Sequence, residues 1–110
     1  MQCYTEYTRH MWRYYFANQY ITVDMMQGAE LKNWSACNTV FNRLAQSEQD
    51  ILRMFFAMKR DKNGKFDVVQ TVIGYANRNK LSVDYIWKTV NSAQYWAAVE
   101  RGLIDRKGRK

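Results

Sequence analysis

No proline occurs anywhere in the chain, only five of its 110 residues are glycine, and it carries one histidine and two cysteines. Without proline nothing in the covalent backbone forces a helix to break, so the breaks must fall in polar loops and at the few glycines. The cysteines, Cys3 and Cys37, are too few and too scattered for a disulfide framework and read as reduced thiols, Cys37 on an apolar helix face. His10 stands beside Met11 and Trp12 and makes no zinc spacing with the cysteines, and a lone exposed helix histidine is no catalytic constellation. There is no Gly-rich phosphate loop. No apolar run approaches the ~20 residues that a membrane span needs. The N-terminal MQCYTEYTRH lacks the apolar centre of a signal peptide. The expectation is a cytoplasmic protein with no enzymatic activity, no cofactor, no metal and no membrane partner.

Apolar side chains are plentiful. A hydrophobic fraction of 47% with 15% aromatic residues is too rich for disorder and suits one domain with a modest core. The net charge of +7 is unevenly spread: residues 1–40 hold three basic and three acidic side chains, whereas residues 41–65 hold six and three. Residues 66–99 hold three and two, and residues 100–110 five and two. The excess therefore lies in the last two thirds of the chain, as a phosphate-binding surface requires and as an ordinary basic protein also allows.

The spacing of apolar residues predicts five helices. Tyr4, Tyr7, Met11, Tyr14 and Tyr15 make one face of a first helix from Tyr4 to Asn18, with Trp12 and Phe16 outside that stripe. A loop anchored by Ile21 and Val23 leads to a second helix, Glu30 to Leu44, with Leu31, Trp34, Cys37, Phe41 and Leu44 inward and Asn33 in solvent. Ser47 caps a third helix in a capping box with Asp50, and Ile51, Leu52, Phe55, Phe56 and Met58 form its apolar face. The charged turn Lys59–Lys65 resembles a calcium loop only faintly and lacks two of its essential carboxylates. A fourth helix, Asp67 to Arg78, turns Val69, Val72, Ile73 and Ala76 inward. The fifth opens at Ser82 and ends at Gly102, a left-handed cap on which Leu103 folds back.

The stretch from Tyr75 to Ala93 has the elements of a helix-turn-helix: small Ala76, a turn at Asn79–Lys80, apolar Leu81, the cap Ser82, and Ile86, Val90 and Ala93 on one inward stripe. Together with Leu44–Phe56, LAQSEQDILRMFF, this pattern resembles the C-terminal DNA-binding domain of bacterial sigma factors and related phage-type regulators over residues 44–93. The first segment matches in its leading Leu44, the acids Glu48 and Asp50, the Ile51-Leu52 pair, Arg53, Met54 and Phe56. Two departures stand out. Lys80 occupies the turn position where that family places glycine, and the outward face of the fifth helix offers one lysine where the family offers arginines.

A small all-α domain of five helices follows, with residues 1–43 an aromatic helical pair, 44–102 the helix-turn-helix unit and 103–110 a basic tail. The resemblance implies a transcriptional regulator of double-stranded DNA, in a mobile-element setting. Ser82, Asp84, Trp87, Lys88 and Asn91 are the candidate groove residues. Lys59, Arg60, Lys62 and Lys65 in the loop, and Arg106, Lys107, Arg109 and Lys110 in the tail, are the candidate phosphate contacts. The alternative is a protein-interaction module or inhibitor with a helix-turn-helix-like core. Its partner, RNA polymerase among the candidates, would dock on Tyr7, Trp12 and Phe16. The same aromatic helix is a candidate homodimer contact.

Overall fold

The computed structural model of the chain describes residues 3–19, 26–58 and 67–104. They form five α-helices and no strand: α1 (Cys3–Ala17), α2 (Gly28–Arg43), α3 (Gln46–Phe56), α4 (Val68–Asn79) and α5 (Val83–Arg101). The expected anchors Ile21 and Val23, the basic turn Lys59–Lys65 and the tail Arg106–Lys110 lie outside the described residues.

α5 is the element that the others share, packing against α1, α2, α3 and α4. Its composition explains this. Ile86 and Val90 in its first half are fully buried, and Ala93, Ala97 and Ala98 in its second half let neighbouring helices approach closely. The Trp12 indole N–H donates to the Ala93 carbonyl at 3.3 Å, and the Gln94 amide donates to the Thr5 carbonyl at 3.1 Å, so α1 lies along the second half of α5. α2 reaches the same end through Arg43–Glu100 at 3.1 Å and Arg101–Asn33 at 2.6 Å. α3 meets the first half, where the Phe55 and Trp87 rings contact edge to face at 5.3 Å.

The inward face of α1 is rotated from the one its spacing suggests. Thr8, Met11, Trp12 and Tyr15 are buried, whereas Tyr7 is 38% exposed and Tyr4 and Tyr14 are half-buried. A helix with aromatics all round offers two registers. The one chosen buries the indole, which stacks on Phe16 and Phe56, each at 5.9 Å, and meets the edge of Tyr15 at 5.7 Å. Such ring pairs add about 0.5–1.5 kcal/mol each beyond the area they bury. Trp12 is thus the centre of the core and cannot belong to a partner-binding surface.

Two further expectations change. α3 begins at Gln46, with extended Ala45 as its cap residue; the Glu48 carboxylate reaches back to accept the Ala45 N–H at 3.0 Å, so Ser47 sits inside the first turn. In α4 only Val72 and Ala76 are buried, while Val69 is 61% and Ile73 37% exposed. α4 packs chiefly against α5, so one narrow stripe is all it has to bury. Asp67 caps α4 by accepting the Gln70 N–H at 3.2 Å.

Candidate nucleic-acid interface

Three residues join α4 to α5. Lys80 takes the left-handed conformation, φ 56° and ψ 43°, and is the one non-glycine with positive φ among the described residues. The conformation that glycine would supply is therefore present with lysine in it. It lets the Lys80 and Leu81 N–H groups both reach the Ala76 carbonyl, the second at 2.9 Å, and folds half-buried Leu81 onto the core. Ser82 follows in extended conformation, and its Oγ accepts the Tyr85 N–H at 3.0 Å. One acceptor lone pair is used by the cap, and the hydroxyl proton remains to be donated.

From this start α5 divides into two unlike halves. Six of its first ten residues are exposed, against two of its last nine. The first half presents Asp84, Lys88 and Asn91 to solvent at spacings of four and three, so they share one face, with Tyr85 and Ser92 beside them. Trp87 does not join them: it is half-buried against the core, its ring edge on Phe55. That placement removes it from the groove-facing set, because its ring area is better buried than wetted.

The charge of this face is close to balanced, with Asp84 set against Lys88. Two cations that the spacing argument left out, exposed Arg78 and Lys80, stand at the end of α4 and in the connector. The described residues together hold nine basic and seven acidic side chains. Most of the excess belongs to residues 59–66 and 105–110, which include all eight candidate phosphate contacts.

Tyr85 and Trp96, which are not among the sequence candidates, are exposed by 36% and 38%. They flank Leu44, which lines two apolar clefts: one of about 270 Å³ with Val40, Arg43 and Trp96, the other of about 140 Å³ with Glu48, Tyr85, Lys88, Thr89 and Ser92. Their sequence signal is a spacing of eleven, three helical turns, which puts both rings on one side of α5.

The candidate partner surface is dispersed. Trp12 is buried, Phe16 is half-buried among Trp12, Tyr15, Phe41 and Phe56, and only Tyr7 is exposed. The Tyr7 hydroxyl accepts from the Asn33 amide at 3.0 Å, so Asn33 bridges helices although its position in the helical pattern suggested solvent.

No described helix is long and apolar enough to cross a membrane. No three His, Cys, Asp or Glu side chains of the described residues come together as a metal site would require. Comparison with protein-family models, with curated proteins and with solved structures finds no match to this chain.

Proposed function

We propose that the chain binds double-stranded DNA as a transcriptional regulator, using α4, the three-residue connector and α5 as a helix-turn-helix. The observation that carries this reading is the asymmetry of α5: its capped N-terminal half packs one face on the core and leaves the other exposed, while its C-terminal half is held by α1 and α2. A recognition helix enters the major groove with its N-terminal residues, so it needs that outer face free. Lys88 and Asn91, one turn apart, supply a cation for a guanine edge and an amide for an adenine edge. Asp84 accepts from a cytosine amine, and the Ser82 hydroxyl proton, Arg78 and Lys80 reach the phosphates on either side.

With one lysine on the reading face, affinity has to come from the flanks. If the eight cations of the 59–65 loop and the 106–110 tail each neutralise a phosphate, the slope of log K against log salt approaches about −7. Anisotropy titration of a labelled duplex across a salt series measures it. Negligible binding at low salt ends the proposal. A duplex bound with a steep slope but unaffected by Lys88→Glu, in a variant of unchanged helicity, keeps DNA binding and removes α5 as the reader.

The apolar clefts on either side of Leu44 favour a second reading, in which a protein partner such as RNA polymerase docks across Tyr85 and Trp96. In that case Trp96→Glu abolishes binding to purified polymerase in sedimentation while Arg78→Glu, at an exposed position that lines neither cleft, leaves it intact.

A further inference from the structure

On the far side of α5 from Lys88 along its length, thirteen residues or about 20 Å away, α2 and α5 enclose a polar cleft. It has a volume of about 270 Å³ and is lined by Lys32, Ser35, Ala36 and Thr39 of α2 and by Glu100 and Arg101 of α5. The α2 residues recur at spacings of three, one and three, which makes a single stripe, and buried Ala36 is small enough to leave the floor open. From this arrangement we infer that the cleft is a phosphate-binding site, separate from the proposed DNA-reading face.

Three of its four donor side chains are without a partner among the described residues, and the fourth keeps donors to spare. Lys32, Ser35 and Thr39 have no hydrogen bond or ion pair to the described residues. Arg101 donates its Nε–H to Asn33 Oδ1 at 2.6 Å, and its two terminal amino groups have no hydrogen bond or ion pair to the described residues. Asn33 is itself held, its Nδ2 donating to the Tyr7 hydroxyl at 3.0 Å. The guanidinium is therefore oriented before any ligand arrives, from three helices at once. A planar fork of two amino groups beside an ammonium and two hydroxyls is the donor set that a tetrahedral dianion takes up. Glu100 is the one opposing charge among the lining residues, and its ion pair with Arg43 at 3.1 Å offsets it. Two sources share this chemistry, a free phosphate monoester and a backbone phosphate of bound DNA.

Titration of the intact chain with inorganic phosphate at constant ionic strength, followed by amide and arginine Nε–H resonances, tests the site. Saturable shifts are expected at residues 32–39 and at Arg101, with Lys32→Gln binding about tenfold more weakly and Thr39→Val severalfold more weakly. Both substitutions are at exposed or half-buried positions and keep the fold. Asn33→Ala should weaken phosphate while moving the Arg101 Nε–H resonance in the unliganded protein, which is the mark of a positioning residue. Shifts that fail to saturate, equal shifts with chloride, or unchanged affinity in both Lys32→Gln and Thr39→Val overturn the assignment. The source is read from duplex binding. If Lys32→Gln weakens duplex in step with phosphate, the ligand is a backbone phosphate; if duplex affinity is unchanged while phosphate is lost, it is a free phosphate monoester.

Discussion

Lys80 holds a backbone conformation that costs an L-residue about 1–2 kcal/mol relative to its ordinary basins. Glycine removes that strain but loses about 0.5–1 kcal/mol through its freer unfolded chain. Lys80→Gly should therefore raise stability by about 0.5–1 kcal/mol, seen as a denaturation midpoint shifted upward at unchanged slope. If DNA binding falls at the same time, the strained lysine is retained for its charge. Two buried groups set an alkaline limit. Burial pushes the Cys37 thiol well above its usual 9.0, and burial foremost raises the Tyr15 phenol above 10.0, its hydroxyl donating to Asn38 at 2.7 Å. Below those ordinary values both groups are protonated folded or unfolded and stability is indifferent to them. Above pH 9 the unfolded thiol ionises first, and above pH 10 the unfolded phenol does. Stability should accordingly decline from pH 9 upward, with Cys37 unreactive to alkylating reagents until the chain unfolds. Denaturant midpoints measured between pH 8 and 11 check the sign.

Among the elements, α4 and α5 are opposites. α4 buries Val72 and Ala76 and leaves Val69 and Ile73 in water, whereas α5 packs against every other helix and buries seven residues. Local opening follows burial, so native-state hydrogen exchange should release α4 amides well before those of Ala93–Ala98 in α5. Equal protection in the two helices would contradict the packing described. α1 is where sequence spacing misleads, because its face is decided by Trp12, a residue that the spacing placed outside. Trp12→Ala removes a fully buried indole and its hydrogen bond and should cost about 3–5 kcal/mol, against a total of about 5–15 for a domain of this size. A surface role would leave the midpoint where it was.

At the scale of the whole molecule, the division of the sequence at residue 43 is not a division of the core. Met11, Trp12, Cys37 and Phe41 from the first part form one cluster with Ile51, Phe56, Ile86 and Ala97 from the second. A fragment of residues 44–104 would expose the alanine face of α5 and lose the partner of every contact that α1 and α2 make. Circular dichroism of that fragment should show little helix and no cooperative melt, while the intact chain melts in one transition. A folded fragment would mean that α3, α4 and α5 are an autonomous unit and the N-terminal pair an addition.

Much was legible in the chain. Five helices, the caps Asp67, Ser82 and Gly102, the turn at Lys80 and the apolar stripes of α3 and α5 all follow from local rules, since caps, turn conformations and helical spacing depend on residues within one or two turns. In the candidate site, the shared outward face of Asp84, Lys88 and Asn91 follows from the same spacing. What the chain could not state is which of two equivalent faces turns inward, because that choice rests on residues far away in sequence. Trp12 is buried because Ala93, 81 positions on, offers it a carbonyl and room; Trp87 is turned inward by Phe55; Arg101 is aimed by Asn33, 68 positions before it. Local chemistry determined the helices and their ends, and only the tertiary packing decided which faces of α5 are covered and which stay exposed, because the helices that cover them are distant in sequence.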